Sequence, residues 1–403
     1  MDTNELGMKK TKLVDYLQLR DVGFLEIMLA LYPILANYRF GAIPFNLFIL
    51  VILDIIVLQN RSKRERFRAK EFVFFTIFIL LHEIVWLVVI DNPPSYFISS
   101  IVAFSILLIS VIIISPALNW NKLVGSLNWV TIISLAGIAI QYVQVANGEL
   151  VGQIPLPFLE GGASRVDDLY ERPHSFFPEP AAYALFMLMP LFFSLYQKKF
   201  IWALIIAIGI LASSSTTGLL LLFFMPLVTI FMGKAKISTK IGVLAVGAVL
   251  LAVIMNTDFF EASLTKLIFE SENVEESARL SQGISIVSYM SPEHYVLGVP
   301  YATAHDFLKG VGSLGQFEVW GTGDEASVYI TTFWNILLRF GVVGLLLYLI
   351  IYIKPALQNR NLWPLIACCL VILFSASLYI SATFTFQFIC IYSFNNSEKP
   401  CAK

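Results

Sequence analysis

The sequence predicts an all-α, polytopic membrane protein, one integral membrane domain over residues 1–403 with about 11–12 transmembrane helices. Three observations carry that expectation. Apolar residues make up 58% of the chain and charged residues only 14%, far from the soluble average. Several apolar runs reach about 18–22 residues, the length a helix needs to cross a bilayer core. Lysine and arginine gather in alternate short loops, the bias that sets orientation. The net charge of −1 is uninformative because the charges are sorted by loop, and no nucleic-acid partner is expected. Cys368, Cys369 and Cys390 lie in apolar runs and Cys401 in the tail, which gives neither a disulfide framework nor metal-ligand spacing.

Taken in order, spans are expected near 22–38, 40–59, 72–90, 96–116 and 124–145, followed by a long loop over 146–178. Further spans follow near 180–196, 200–213, 217–233 and 240–256, then a second long loop over 257–327. The last spans fall near 329–353, 362–380 and 381–394, the final one short for a full crossing. Lys9, Lys10, Lys12 and Arg20, the basic run from Arg61 to Lys70, Lys198 and Lys199, Lys234, Lys236 and Lys240, and Lys354 and Arg360 all fall on one side. With the N-terminus cytoplasmic, both long loops face outward. Residues 1–21 are polar and basic and carry no apolar core of a cleavable signal.

The chain is organised around RVDDLYERPHSFFPEPAAY, residues 165–183. Pro178 and Pro180 flank Glu179 where an apolar run begins, and proline is tolerated in a first helical turn. Arg172, His174 and Glu179 are therefore expected in a water-exposed loop at the bilayer surface, with Arg165 further from the helix. In the second loop, Asn273 and Glu276 are read as a capping pair for a surface helix carrying Arg279. His305 is expected near the start of a short helix capped by Thr303, where the helix N-terminus favours the neutral imidazole. Arginine suits a phosphate or pyrophosphate because its planar fork donates paired hydrogen bonds. Glu179, His174 and His305 are the candidate bases. Bland readings stand beside these. Arg172 also suits an interfacial anchor, Glu179 a helix start, Arg279 a solvated loop position, and the 213–218 run a turn whose hydroxyls satisfy helix ends. No ligand cluster for a metal is evident in these loops, and no metal or other cofactor is expected.

ERPHSFFPEPAAYALF resembles the arginine…phenylalanine…Glu-Pro signature of the O-antigen polymerases of the Wzy type. SSSTTGLLL is similar to the Ser-Arg-x-Gly turn of that polymerase and O-antigen ligase superfamily. SARLSQGISIVSYMSPEHYVLGV resembles its arginine-bearing outer helix. AHDFL, then WNILLRFGVVGLLLYL, resembles its His-Asn-x-x-Leu segment and Gly-Ile-Ile-Gly helix. Together these cover roughly residues 165–350. Two positions depart: Thr216 stands where many relatives carry arginine, and Asp306 where ligases usually have an amide or hydroxyl residue. The glycine-rich spacing after His305 favours the polymerase.

The resemblance implies a metal-independent membrane glycosyltransferase of the bacterial cytoplasmic membrane with its site facing outward. Its substrates would be undecaprenyl-pyrophosphate-linked oligosaccharides held among membrane lipid, and its partners a flippase and a chain-length regulator. Glu179 and His305 would be catalytic, and Arg172, Arg279 and Arg165 would bind pyrophosphate. His174, Asp306, Ser215 and Thr216 would support them. A ligase-like transferase and a flippase or transporter of lipid-linked sugars stay open as alternatives. Inside the spans, Asp54, His82, Glu83 and Arg339 are costly. Neighbours on a helix point to different faces, so His82 and Glu83 are not expected to pair, and Arg339 is expected to partner Asp54 or Glu83.

The topology has a direct test. Single cysteines placed in 60–71 should resist a membrane-impermeant maleimide on intact cells, while those in 150–175 and 265–320 should react. Labelling at 60–71 from outside would invert the assignment.

Overall fold

A computed structural model describes residues 14–40, 43–59, 67, 69–90, 95–161, 172–232, 278–312, 330–376 and 380–397. Among them, helices run α1 (Phe24–Leu35), α2 (Phe45–Gln59), α3 (Lys70–Val89), α4 (Ser95–Ile114) and α5 (Trp120–Ala146). They continue with α6 (Pro180–Tyr196), α7 (Phe200–Ala212), α8 (Thr216–Met232), α9 (Ala278–Ser288), α10 (Pro292–Leu297) and α11 (Tyr301–Gly312). The last are α12 (Thr332–Gln358), α13 (Trp363–Ser375) and α14 (Ala382–Ser397). Four stretches among the described residues are long and apolar enough to cross a bilayer: Lys70–Val89, Phe97–Ala117, Trp120–Ala146 and Thr332–Gln358. Shorter apolar helices of 10–17 residues accompany them. The chain is a helical, multi-pass membrane protein. The span expected at 240–256, the capping pair Asn273 and Glu276, and Arg165 lie outside the described residues.

One departure from the all-α expectation is a small antiparallel sheet, in which β1 (Tyr38–Phe40) pairs with both β2 (Ile43–Pro44) and β3 (Glu160–Gly161). The register sets Arg39 opposite Glu160. The chain leaves α1 at Leu35, three residues before the expected end, with Pro33 inside the last turn.

The chain divides into two compact units, 1–68 with 109–222 and 382–403, and 69–108 with 223–381. In the first, α14 explains the short final run. Every side chain from Phe384 to Asn395 is buried, so this 16-residue helix is buried on all sides and has no lipid-facing stripe. Its Phe394 meets Trp120, Phe192 and Tyr196 with ring centroids 4.7, 5.8 and 5.0 Å away. Each such aromatic pair adds about 0.5–1.5 kcal/mol beyond area burial. Asn128 of α5 ties the N-terminal segment, donating to the Leu17 carbonyl at 2.7 Å and accepting from Trp202 at 2.8 Å.

In the second unit, α12 is the element the others pack against. Three contacts set α3 antiparallel along it: Glu71 with Lys354 at 2.9 Å, Phe75 with Tyr348 at 5.8 Å and His82 with Phe340 at 5.4 Å between centroids. Short helices α9 and α11 close a small core on its first half, with Ile286, Val299, Ala304, Leu308 and Leu338 buried. The Thr332 amide and hydroxyl both donate to the Ala376 carbonyl, at 2.9 and 2.6 Å, which joins the start of α12 to the end of α13.

Helix α12 is broken at Gly341, where φ is +62° and ψ is −167°. The break exposes the Leu338 carbonyl, and the Val299 amide donates to it at 2.7 Å. Gly298, at φ +89°, faces this break. A Cβ on Gly341 would strike the Val296 carbonyl oxygen, and one on Gly298 would strike the Arg339 carbonyl oxygen. Only glycine fits both the backbone sign and the close approach.

Gly341→Ala and Gly298→Ala should each lower the thermal unfolding midpoint in detergent. Positive φ with ψ near 180° is a region open essentially to glycine and costs an alanine about 1–3 kcal/mol, and the carbonyl clash adds to it. Gly148→Ala, with φ +76° and open space around its Cβ, should show the smaller, strain-only loss. Equal midpoints for all three would remove the close-approach argument.

Candidate functional site

The 172–179 segment is held by a side chain that the sequence reading passed over. Gln141, in the last third of α5, is fully buried. Its Oε1 accepts from the His174 amide at 2.7 Å and the Ser175 amide at 2.5 Å, and its Nε2 donates to the Gly152 carbonyl at 2.8 Å and the Ser175 carbonyl at 3.3 Å. One carboxamide thus satisfies buried backbone donors and acceptors of two loop strands. Such a group can do so because it carries donors and acceptors at once. The loop strands also bond each other: Ile154 donates to the Ser175 carbonyl at 3.1 Å, and Gln153 to the Phe176 carbonyl at 2.8 Å. Tyr38 of β1 donates to the Ile154 carbonyl at 2.5 Å. Ser175 has φ +56°, and its Oγ fills the space a Cβ on Gly137 would occupy. The only sequence signal for Gln141 was an amide inside an apolar run, and attention to charged intramembrane residues missed it.

This clamp overturns one expectation. His174 is not solvent-exposed; it is 1% exposed, because the turn lays it against α5. Its Nδ1 lies 2.8 Å from the Arg172 carbonyl, which accepts only, so Nδ1 carries the proton and Nε2 the lone pair. Nε2 is buried without a partner among the described residues. Burial holds the imidazole below its ordinary value of 6.5, opposed by the Arg172 carbonyl and the Glu179 charge. The ring is therefore neutral and presents an acceptor.

Glu179 is the N-cap residue of α6, with extended backbone at φ −153° and ψ 157°, and Pro180 follows at the first helical position. Its side chain makes no capping hydrogen bond. Glu179 and Arg172 are both half-buried. At the next helix junction, Ser215 is buried and its Oγ accepts from the Gly218 amide at 3.1 Å, while Ser213 donates to the Ile210 carbonyl at 2.7 Å. These hydroxyls satisfy helix ends, and Thr216 opens α8.

The second-loop candidates belong to the other unit. Arg279 lies in the first turn of α9 and His305 in the second turn of α11. Thr303 does not cap α11. The helix starts at Tyr301, and the Pro300 carbonyl takes the Thr303 and Ala304 amides at 3.1 and 2.9 Å. Proline before a helix sets the entry one turn earlier than a threonine cap would. His305 accordingly sits deeper in α11 than the dipole argument assumed, and that effect fades beyond the first turn. Asp306 is exposed.

The intramembrane residues also depart from expectation. His82 Nδ1 and Glu83 Oε1 lie 3.2 Å apart, both buried, so the two neighbours meet despite their different helix faces. Asp54 accepts from Ser110 at 2.7 Å. Arg339 stacks over the Tyr301 ring at 4.7 Å and pairs with neither carboxylate. Among the described residues, no group of three His, Cys, Asp or Glu side chains is placed to hold a metal ion.

The depressed His174 makes a pH prediction with a definite sign. The folded state binds fewer protons than the unfolded one, so stability rises with pH. The contribution is full above 6.5 and is lost as pH falls through the lower folded value. His174→Gln, which keeps a donor for the Arg172 carbonyl, should flatten the fall in unfolding midpoint below pH 6.5. Parallel curves for the two proteins would show that His174 titrates normally.

No family model, no curated protein and no solved structure matches this chain, so the functional reading rests on the residues themselves.

Proposed function

We propose that the chain is a polysaccharide repeat-unit polymerase of the bacterial cytoplasmic membrane, with the N-terminus inside and both long loops outside. It transfers a growing glycan from undecaprenyl pyrophosphate to a hydroxyl of a second lipid-linked repeat unit. The anomeric carbon of the donor is attacked, its bond to the pyrophosphate oxygen breaks, and the hydroxyl proton passes to a base. The observation that carries the reading is the Glu179 carboxylate. It stands at the head of α6, within the motif that begins at Arg172, and is not engaged in capping the helix. A carboxylate so placed can accept the proton. Arg172 in the first unit suits the charge developing on the departing pyrophosphate, with Arg165 assisting, and Arg279 in the second unit suits a phosphate by the same chemistry. His305 and Asp306 orient the incoming sugar.

A second reading, transport of lipid-linked oligosaccharide, is favoured by the buried His82–Glu83 pair, since ionisable groups line transport paths. Purified protein supplied with lipid-linked repeat units separates the two, because only a polymerase makes longer glycan.

In that assay, Arg172→Ala and Arg279→Ala should abolish polymer while the protein stays in the membrane. The lysine variants should also be impaired, because lysine keeps the charge and loses the bidentate fork. Glu179→Gln should slow turnover by about 10²–10⁴, the usual worth of a general base. Full polymer from Glu179→Gln together with none from His305→Gln would reassign the base to His305. Near-normal polymer from both alanine variants would remove the pyrophosphate role.

A further inference from the structure

Arg339 forms no ion pair with any carboxylate among the described residues. The ion pairs among the described residues are Arg20 with Asp15 and Lys354 with Glu71, and His82 lies against Glu83. Glu83 on the facing helix α3 meets His82 instead, with Oε1 3.2 Å from Nδ1. Arg339 instead lies half-buried with its guanidinium 4.7 Å from the Tyr301 ring. Its Nη1 is hidden from solvent and has no hydrogen-bond partner among the described residues. A cation–π contact stabilises the charge from one face only. It satisfies no N–H donor in the plane of the guanidinium, and a buried donor left unmade is costly.

The backbone around Arg339 is fixed with unusual care. The Val299 amide bonds the Leu338 carbonyl at 2.7 Å, and Gly298 lies close against the Arg339 carbonyl. Tyr301, two residues on from Val299, is braced in turn by Phe104 at 6.0 Å. The break at Gly341 and the Gly298 turn thus set the arginine over its tyrosine. Arg339 is seven residues from the start of α12, about 10 Å along the axis.

We infer that Arg339 and Tyr301 form a phosphoryl-binding site, in which the ring supports one face of the guanidinium and the unpartnered Nη1 donor takes an oxygen of a phosphate or pyrophosphate. The chemistry fits either a lipid-linked pyrophosphate or a free phosphate. Naming the polyprenyl-linked species as the natural ligand rests on the polymerase reading; the anion site itself does not.

The test uses the full chain in phosphatidylcholine nanodiscs and radiolabelled farnesyl pyrophosphate, with inorganic pyrophosphate and farnesol as competitors. Because Arg172 and Arg279 are assigned to the same chemistry, binding is measured both in the unaltered chain and in the Arg172→Ala/Arg279→Ala double variant. Arg339→Gln should weaken binding at least about tenfold in both backgrounds, the loss expected for a charge-assisted contact. Arg339→Lys should fall between, and its unchanged unfolding midpoint would show that the loss is not a folding defect. Competition by inorganic pyrophosphate as strong as by unlabelled farnesyl pyrophosphate identifies a free-anion site, and competition by unlabelled farnesyl pyrophosphate but not by inorganic pyrophosphate a lipid-linked one. Competition by farnesol would overturn the site, since it lacks the anion. Equal affinity in Arg339→Gln and the unaltered chain would also overturn it, and would leave the polymerase reading standing. Arg339-dependent binding in a protein that makes no polymer would do the reverse.

Discussion

A backbone amide or carbonyl that leaves a helix in apolar surroundings must find a specific partner, and the two functional regions of this chain are shaped by that requirement. At the first, α5 supplies Gln141, whose four hydrogen bonds hold the turn before α6. At the second, α12 breaks at Gly341 and the Val299 amide takes the freed Leu338 carbonyl. Losing either arrangement leaves buried donors or acceptors unmade, at about 1–3 kcal/mol each. That is a large share of a marginal stability. Both non-helical segments are therefore rigid by necessity, and both present the side chains that carry the proposed chemistry.

The same requirement separates architecture from function among the polar residues. Asn128, Ser213 and Ser215 use up their donors or acceptors on nearby backbone or on Trp202. Lys354 and Glu71 close on each other at 2.9 Å and align α3 with α12. The Glu179 side chain does not cap α6, and among the described residues His174 Nε2 and Arg339 Nη1, like Glu71 Oε1, are buried without a hydrogen-bond partner. Open groups of this kind destabilise a fold, so they persist where the surrounding structure over-determines them.

Helices were legible from the sequence wherever length and apolar character agreed, as in α3, α5 and α12, and the α6 start was legible from Pro178 and Pro180 flanking Glu179. The site was legible in part. Residue types that matter chemically, Arg172, Glu179, Arg279 and His305, stand out because charged or titratable side chains are scarce. Their supports did not stand out. Gln141 is an uncharged amide in an apolar run, and its role depends on a loop that returns to it from 33 residues on. Gly298 and Gly341 are 43 positions apart and explain each other only once their backbones touch. Phe394 reads as one more apolar residue until α14 is seen buried on every side. The β1–β3 pairing was missed for the same reason: two strands of three and two residues carry almost no alternation to read.

This difference has a physical origin that bears on the chemistry. Local pattern reports what a segment can bury, whereas a site needs groups that burial alone would disfavour. His174 shows the consequence. The turn that Gln141 clamps drives the imidazole out of water, and the Arg172 carbonyl fixes its proton on Nδ1. Desolvation then keeps the ring neutral while the Glu179 charge pulls the other way. One amide on α5 thereby sets the tautomer and the charge of a histidine in a loop, and holds that histidine beside the carboxylate proposed as base. Removing Gln141 would disturb the electrostatics of the Arg172–Glu179 segment without touching any of its charged groups, which is why the clamp belongs to the site as much as to the fold.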